Sequence, residues 1–583
     1  MRAAEQPNGE EAMRRRGFWV ALAALTAGVV LLAAGCGSSS SNNSNGAGGS
    51  TAIPPHQKGG TVTVALSGNV DYLDPALAYY QSTWQIEYST CVKLTNYKDL
   101  PGDAGHVIYP EAASAMPEVS ADGLTYTYTV PPGRFKFNTG EPVTAQTFQH
   151  AIERDLNPTQ ASYFGSVFLA PVIEGASSFK GKPGEHISGV TVDGDKLVIK
   201  LAQPDAGLIS KLTTPFACAV SKDMPIDSKG VHAPAGAGPY YVASYTPNRS
   251  IVLKKNPNWT DAAGFHRPAY ADEIDYTALT ENTDQGTLQI RNGQLDYSPD
   301  ALAPAQFFQL NKEFGPNGTW SGGYQRFFIS AQAAVWYLSL NVTRPAFSNA
   351  LVRQAVNYAI DRPAIAQTSG YGAVIPAEKY LPPQIAGSAE EKVVYPVDAP
   401  DLAKAKDLMT QSGVATPITA VLYTCNQPPC PDRAAVIQQN LKAIGINVEI
   451  KEFDRGVQFG KEGTKGEPFD IADEGWIADY YDAYDFLNIL LDGSHIPATN
   501  GNNFSYINDP TLNKALEDAN KLTGDARNKA YGAIATGLKE PGGLAPWAPR
   551  GFGTNVDFFG PKIGCQVNQG SYGMALNTFC IRS

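Results

Sequence analysis

The segment Gly475–Tyr480, with the sequence Gly-Trp-Ile-Ala-Asp-Tyr, places a carboxylate close to a large aromatic side chain. It follows a short strand-like run and precedes a helix-like run at 485–491. Asp479 is the group that could do chemistry here, because an enclosed carboxylate can neutralise a cationic ligand, and enclosing a cation without a partner is costly. The alternative is structural: Asp479, Asp482 and Asp485 could cap the following helix, whose N-terminus favours acidic residues.

The chain lacks the common sequence signatures of catalysis. It has no Gly-x-Ser-x-Gly, no His-Glu-x-x-His and no Walker-type Gly-Lys-Ser/Thr. The histidines are scattered without metal-ligand spacing, and no EF-hand spacing surrounds Asp479. Carboxylates are plentiful, but their positions in the sequence do not place two of them at one scissile bond. The sequence therefore predicts no enzymatic activity, no metal and no cofactor.

The N-terminal region has the layout of an export signal that ends in a cysteine. Arg14–Arg16 precede an uncharged apolar run at 17–35, and small residues lead into Cys36. This order predicts a secretory signal peptide at 1–35. Cys36 resembles the cysteine of a bacterial lipobox, whose thiol is lipidated, although Ala33 stands where lipoboxes usually have leucine.

The alternative for this region is a membrane-spanning anchor, since about 20 apolar residues can cross a bilayer. Lipidation is favoured because Cys36 ends the apolar run and a Ser/Asn/Gly/Pro-rich tract follows it. We expect 36–58 to be the lipidated cysteine and a flexible tether with a reach of roughly 25 Å. Translation could start at Met1 or at Met13, because residues 1–12 add nothing that a signal peptide needs.

Six cysteines follow position 36, and an even number outside the cytoplasm favours disulfides over buried free thiols. Since six cysteines allow fifteen connectivities, proximity along the chain is the only guide. It pairs Cys425 with Cys430 and Cys565 with Cys580, which leaves Cys91 with Cys218. A zinc site is poorly supported, because no histidine lies within 60 residues of Cys425 or Cys430.

Composition and patterning describe an acidic α/β protein of several domains. A net charge of −11 argues against nucleic acid as a partner. At 583 residues the chain is too long for one core, so two or three domains are expected. Strand-like alternation occurs at 61–66, 124–130 and 197–201, helix-like spacing at 351–360, and a strand–helix–strand unit at 418–450. That unit implies a pair of parallel strands with a covering helix.

Short sequence blocks cover nearly all of residues 59–550. The most specific are Tyr337–Asn341, Val352–Ala355 and Tyr358–Arg362. The others are Gly59–Ala65, Leu73–Ala76, Pro110–Ala113, Asp122–Tyr128, Phe135–Ala145, Pro234–Tyr240 and Lys255–Trp259. In this order they resemble the large extracellular solute-binding proteins of peptide/nickel-type ABC importers.

The resemblance implies a two-lobed α/β fold of the periplasmic-binding-protein kind (type II, large class), with an additional subdomain inserted in lobe I. By analogy, lobe I would comprise 58–95, 220–334 and 540–583, the subdomain 96–219, and lobe II 335–539. The chain would cross between the lobes near 335 and near 540, at the Gly/Pro-rich stretch 540–546. Closure about these crossings around a ligand is the known motion of such proteins.

The resemblance also implies a role for the Gly-Trp-x-x-Asp motif. In oligopeptide-binding members its aspartate pairs with the α-amino group of the peptide, and this role falls to Asp479. Gly475 and Trp476 would line the same cleft, together with Tyr480. This context favours ligand binding over helix capping for Asp479, whereas capping stays favoured for Asp482 and Asp485.

Aromatic residues offer a second ligand surface, since the family's Leu73–Ala76 loop faces the cleft. Trp84 and Tyr80 follow this loop, as does Tyr79. Aromatic walls let a pocket accept varied side chains. Ordinary core packing explains each of these residues equally well.

The leading prediction is a non-enzymatic, monomeric receptor that captures oligopeptides and delivers them to the permease subunits of an ABC transporter. It would be exported and anchored by lipid to the outer face of the cytoplasmic membrane, at the cell surface or in the periplasmic space. The same scaffold could instead bind an oligosaccharide, a nickel chelate or an opine, but Asp479 favours a ligand with a cationic end. A secreted hydrolase and a surface adhesion module are less favoured alternatives.

Overall fold

The computed structural model describes residues 56–66, 70–261, 265–278, 282–300, 302–494 and 496–583. The predicted signal peptide, Cys36 and all but the end of the predicted tether lie outside the described residues. Within these ranges no helix is both long and apolar enough to cross a membrane.

Lobe I, as we use the name, is built around a four-stranded sheet. Its strands, in spatial order, are Thr61–Leu66, Glu273–Ala278, Ser250–Lys255 and Tyr240–Thr246. The first pair is parallel and the other two are antiparallel. Strand Thr61–Leu66 begins and ends where its alternating sequence predicts, because Val62 and Val64 are buried against the C-terminal residues Phe559 and Ile563.

An inserted unit has its own antiparallel sheet. Its strands are Glu118–Val119, Thr125–Thr129, Lys196–Lys200 and Val190–Asp193. Tyr126 and Tyr128 point inward on one strand, and helix Ala145–Leu156 supplies Phe148 and Ile152 to the same core. The alternation predicted for 124–130 therefore forms a strand with one buried face.

Lobe II is built around a mixed six-stranded sheet. Its spatial order is Val374–Ile375, Trp547–Phe558, Phe327–Leu340, Ile471–Ile477, Ile418–Cys425 and Ile446–Phe453. The last three strands run parallel to one another, and the other pairs are antiparallel. Helix Cys430–Lys442 covers the predicted strand–helix–strand unit and buries Ile437 and Leu441.

The remaining elements are short or peripheral. The other α-helices are Gln81–Thr90, Leu208–Lys211, Thr283–Arg291, Phe307–Phe314, Ala350–Ala359, Arg362–Gln367, Leu402–Ser412, Arg455–Glu462, Ala483–Leu491, Pro510–Asn520 and Gly524–Lys539. Small strands pair as His56–Gln57 and Ile563–Gly564 with Cys580–Arg582, Thr95–Tyr97 with Ile108–Pro110, and Asn568–Gln569 with Gly573–Met574. The predicted lobe boundaries stay a prediction, and the core of the inserted unit also includes residues from outside 96–219, such as Trp84 and Tyr572.

Two long neighbouring strands connect the lobes. Phe327 and Phe558 lie in a core of lobe I, whereas Leu338 and Ala548, on the same two strands, lie in a core of lobe II. The pairing of these strands shifts register between Ala331 and Val335.

The Gly/Pro-rich stretch 540–546 does not form the second crossing. Arg353 donates to the Leu544 carbonyl at 2.6 Å, and Gln354 donates to the Glu540 carbonyl at 3.1 Å. Because these bonds hold the stretch to helix Ala350–Ala359 of lobe II, the chain crosses slightly later, within strand Trp547–Phe558.

Three disulfides join the pairs that proximity predicts. They are Cys91–Cys218, Cys425–Cys430 and Cys565–Cys580. Cys91–Cys218 spans 127 residues and fixes helix Gln81–Thr90 to the end of the inserted unit. Cys425–Cys430 spans 5 residues and closes the turn between a strand and its covering helix.

We expect loss of Cys91–Cys218 to destabilise the protein more than loss of Cys425–Cys430. The chain-entropy estimate is about 5 kcal/mol for the first loop and about 2 kcal/mol for the second, because a longer loop restricts the unfolded chain more. Paired Cys→Ser variants, compared by denaturant unfolding, measure the difference. Equal losses from the two variants would contradict this expectation.

Candidate functional site

Asp479 lies just beyond the carboxyl end of strand Ile471–Ile477. That strand is parallel to Ile418–Cys425, so both strands end at the same edge of the lobe II sheet. The antiparallel neighbour Phe327–Leu340 enters from lobe I at this edge. Since ligands of open α/β sheets bind outside the carboxyl ends of strands, the topology places Asp479 in a favourable position for a ligand site between the lobes.

The carboxylate of Asp479 is buried and has contacts from both lobes. Only 6 % of the residue is exposed. Tyr79 of lobe I donates its hydroxyl proton to Asp479 Oδ2 at 3.0 Å, and the Asp479 N–H donates to Asp485 Oδ2 at 2.9 Å. Within the described ranges no lysine, arginine or histidine forms an ion pair with Asp479. Its negative charge is therefore enclosed without a counter-charge from the protein.

This environment alters the acidity of two carboxyl groups. Burial raises the pKa of Asp479 to about 7, against the opposing effect of the Tyr79 hydrogen bond. Burial, followed by repulsion from Asp479, raises the pKa of Asp485 well above its usual range. Both carboxyl groups resist ionisation, so a cation bound beside them would stabilise their charged forms.

The helix-capping role belongs to Asp482. Its side chain accepts from the Tyr484 N–H at 2.8 Å, at the start of helix Ala483–Leu491. It also forms an ion pair with Arg527 at 2.7 Å. Because Asp482 caps this helix, Asp479 is not needed as its cap.

Asp485 does not cap the helix but organises the motif. Its Oδ2 atom accepts from Trp476 Nε1 at 3.0 Å and from the Asp479 N–H. Trp476 is half-buried and packs on the lobe II core, with its indole N–H already bonded. Trp476 thus holds the turn that presents Asp479.

Position 475 is occupied by glycine because the indole of Trp336 leaves no room for a side chain. It lies opposite Trp336 on the adjacent strand, and a Cβ at this position would come within 1.8 Å of Trp336 Cε3. Any side chain at 475 would displace Trp336. The expected role of the Gly475 backbone toward a ligand stays a prediction.

Tyr480 and Trp84 are packed into the core of the inserted unit. Tyr480 is fully buried, with its ring 5.9 Å from that of Phe168. Trp84 is 3 % exposed and donates its indole N–H to the Ala78 carbonyl at 2.8 Å. Trp84 contacts Tyr79 and thus supports the Asp479 site indirectly.

Tyr80 is not brought to Asp479, and its neighbour Tyr79 takes the inward position. Tyr80 is 57 % exposed and precedes helix Gln81–Thr90 in an extended conformation. Successive side chains of an extended segment point to opposite sides, so only one of the two tyrosines can face the cleft. The adjacent tyrosine pair was the available sequence signal, but it does not tell which residue faces inward.

Further tyrosines connect the two sides of the cleft. Tyr163 of the inserted unit accepts a hydrogen bond from the Asn502 side chain of lobe II. Tyr481 of lobe II donates to Gln569 at 3.2 Å, and its ring lies 4.3 Å from that of His106. The sequence does not indicate these contacts, because they join segments 88 or more residues apart.

A buried cluster of arginines lies at the same edge of the lobe II sheet. Arg433 donates to Asp473 Oδ2 at 2.8 Å, and Arg550 lies 3.2 Å from Asp473 Oδ1. Among the described residues, Arg550 Nε and Trp336 Nε1 have no hydrogen-bond partner. Asp473 and Glu474 both act electrostatically on Arg550, so the positive charge of the cluster is balanced in part, while the two unused N–H groups favour a hydrogen-bond acceptor.

The described residues contain one grouping with the ligand types of a metal site, formed by His56, Cys565 and Cys580. The two cysteines are bonded to each other, so they offer no thiolate to a metal. This grouping therefore does not change the prediction of no metal.

The chain matches known proteins along most of its length. Residues 107–498 match the family model of bacterial extracellular solute-binding proteins, family 5 (middle region). The oligopeptide-binding protein OppA of Bacillus subtilis is 24 % identical over 428 residues, which is 71 % of this chain and 74 % of OppA.

Solved structures show the same fold. Clavulanic acid biosynthesis oligopeptide binding protein 2 superposes with a TM-score of 0.81 at 23 % identity, covering 91 % of this chain and 97 % of that one. The DppA protein of Helicobacter pylori, solved with the peptide STSA, has a TM-score of 0.73 at 22 % identity, covering 90 % and 99 %. The predicted two-lobed α/β fold is confirmed.

We expect Asp479→Asn to stabilise the protein at pH 8 when no peptide is added. Burial raises the Asp479 pKa to about 7, so the folded state binds this proton more tightly than the unfolded state. The contribution of Asp479 to stability therefore falls as pH rises from about 4 to about 7. Asparagine does not ionise, so this loss is absent from the variant. Relative to wild type, its free energy of unfolding should be higher by about 2–4 kcal/mol at pH 8 and almost unchanged at pH 4.

Asp482→Asn is the matched control, measured by the same denaturant unfolding at both pH values. It breaks a buried ion pair with Arg527, so it should destabilise by about 3–5 kcal/mol at pH 8. A loss of stability in Asp479→Asn at pH 8 would contradict the idea of an uncompensated charge.

Proposed function

The chain belongs to the bacterial extracellular solute-binding proteins of family 5, and from this membership we propose that it captures oligopeptides. The peptide would lie between the lobes and be passed to the permease subunits of an ABC transporter. The names of OppA and of the DppA–peptide complex support this choice of ligand. The protein would act as a monomer and without catalysis.

The observation that carries the proposal is the buried, uncompensated carboxylate of Asp479. An oligopeptide always provides one cation, its α-amino group. Pairing that group with Asp479 would restore the charge balance and set the register of the peptide. The ligand would thus supply the counter-charge that the described protein groups do not provide.

The arginine cluster provides a complementary feature for the same ligand. Arg550 Nε and Trp336 Nε1 are donors without partners in the described part of the chain. A peptide also carries a terminal carboxylate, which accepts such bonds well. A neutral oligosaccharide provides no cation for Asp479, although its hydroxyl oxygens could accept from this cluster, and an opine or nickel chelate is the remaining alternative solute.

A peptide with a free α-amino group should bind Asp479→Asn at least tenfold more weakly than wild type. Asparagine keeps the shape of the side chain but removes its charge. In a partly solvated cleft the lost ion pair is worth about 2 kcal/mol. This free energy corresponds to more than a tenfold increase in Kd. Calorimetry with a panel of tri- to pentapeptides measures the change.

The same peptides with N-acetyl groups are the control. They lack the cation, so Asp479→Asn should barely change their affinity, and the four combinations form a double-mutant cycle. Equal weakening of free and acetylated peptides would assign Asp479 a structural role. Release of shortened peptides would instead favour a hydrolase, and failure of the whole panel would favour another solute.

We also propose that Cys36 is lipidated and tethers the protein to the outer face of the membrane. Cys36→Ser should move the protein from the membrane fraction to the soluble fraction, because a lipobox modification provides the two or more acyl chains that stable anchoring needs. Cell fractionation with immunoblotting measures this shift. Full retention of the variant in the membrane would contradict lipidation.

A further inference from the structure

We propose that Tyr79 is a positioning residue that reaches across the cleft and holds the Asp479 carboxylate ready for a cationic ligand. The inference rests on the proposed function of Asp479 and adds a residue from the opposite lobe to it. The hydrogen bond from the Tyr79 hydroxyl to Asp479 Oδ2, at 3.0 Å, joins residues 400 positions apart in the chain.

Tyr79 is held in place independently of Asp479. Its backbone N–H donates to Asp71 Oδ2 at 2.6 Å, and Thr83 donates to the other oxygen of Asp71 at 2.6 Å. Its ring packs against those of Trp84, Tyr163 and Phe216, with centroid distances of 5.8, 5.1 and 5.8 Å. Lobe I therefore presents the phenol in a fixed position.

The Tyr79 ring has several contacts that fix its position, whereas the position of the Asp479 carboxylate depends on its hydrogen bond from Tyr79. In the described part of the protein, Tyr79 is the side chain that donates to the Asp479 carboxylate, and this bond uses Oδ2. Among the residues that the structure describes, no side chain donates to Oδ1, which could therefore accept from a ligand. A hydrogen bond to a carboxylate favours its ionised form, which is the form that attracts an ammonium group.

The other titratable groups around Asp479 do not favour its ionisation. Asp485, on helix Ala483–Leu491, repels it. Tyr163 of the inserted unit and Tyr572 of the C-terminal segment have pKa values raised by burial, so both stay neutral. Burial likewise raises the pKa of Tyr79 well above its usual value, which keeps its proton available for donation.

The test is the pH dependence of peptide affinity in Tyr79→Phe, measured by calorimetry with the same panel between pH 5.5 and pH 9. In wild type we expect affinity to fall below pH 7, up to tenfold per pH unit, as Asp479 takes up a proton. Loss of the hydroxyl should move this midpoint upward by about one pH unit, since a hydrogen bond to a charged group contributes roughly that much. The variant should then bind about fivefold more weakly than wild type at pH 7, whereas at pH 9 the two affinities should be nearly equal, because both proteins then meet the same largely deprotonated α-amino group.

Two variants provide controls. Tyr80→Phe removes the hydroxyl of the exposed neighbour and should leave the pH profile unchanged. In an Asp479→Asn background, Tyr79→Phe should no longer move any pH midpoint. Thermal unfolding of each variant checks that it is folded.

The outcomes separate this inference from the function on which it rests. If wild type binds peptides and Tyr79→Phe lowers affinity equally at every pH, or not at all, the positioning role is overturned. If wild type binds none of the peptides at any pH, the proposed function fails and the inference fails with it.

Discussion

Burying a charged carboxylate without a counter-charge costs free energy, and the interface between the lobes is organised around this cost at Asp479. Asp482 and Arg527 balance each other a few residues away, and Asp482 caps the helix. Asp485 orients the turn through Trp476 and the Asp479 backbone. Asp479 is therefore not needed to cap the helix, and in the proposed function its charge would pair with the α-amino group of a peptide.

The same arrangement explains why tyrosines dominate the cleft. A phenol can donate one hydrogen bond to a carboxylate without neutralising it, while its ring fills apolar space. Tyr79 does this for Asp479, and Tyr163 and Tyr481 join the lobes through single polar atoms. A lysine at position 79 would pair with Asp479 and would compete with a cationic ligand.

Much of the fold could be predicted because its elements have regular periods. The first residues of strands Thr61–Leu66, Ile418–Cys425 and Ile446–Phe453 alternate in burial as their sequences do. The Gly-Trp-x-x-Asp motif indicated Asp479, and the ligand-binding role of that residue stays a prediction. The choice between Tyr79 and Tyr80 did not, because it depends on which face of an extended segment meets the other lobe.

Two further features depend on contacts that sequence order does not reveal. Gly475 is glycine because strand register sets it opposite Trp336. The Gly/Pro-rich stretch 540–546 looked like a crossing between the lobes, yet Arg353 and Gln354 hold it to a helix of lobe II. A high glycine and proline content predicts an irregular, flexible segment, but the hydrogen bonds from Arg353 and Gln354 fix this segment in the folded chain.

The register shift between Ala331 and Val335 has a kinetic consequence. Bending of the two connecting strands is easiest where ladder hydrogen bonds are interrupted, so the stiffness of the joint is set by a few peptide units. These units are joined to the Gly475–Tyr480 motif, because Ala334 and Val335 pair with Ile477 and Trp476 and the Ala478 N–H donates to the Ala333 carbonyl. Substitutions at the joint would therefore alter the rate at which the lobes open and the geometry of the turn that carries Asp479 together.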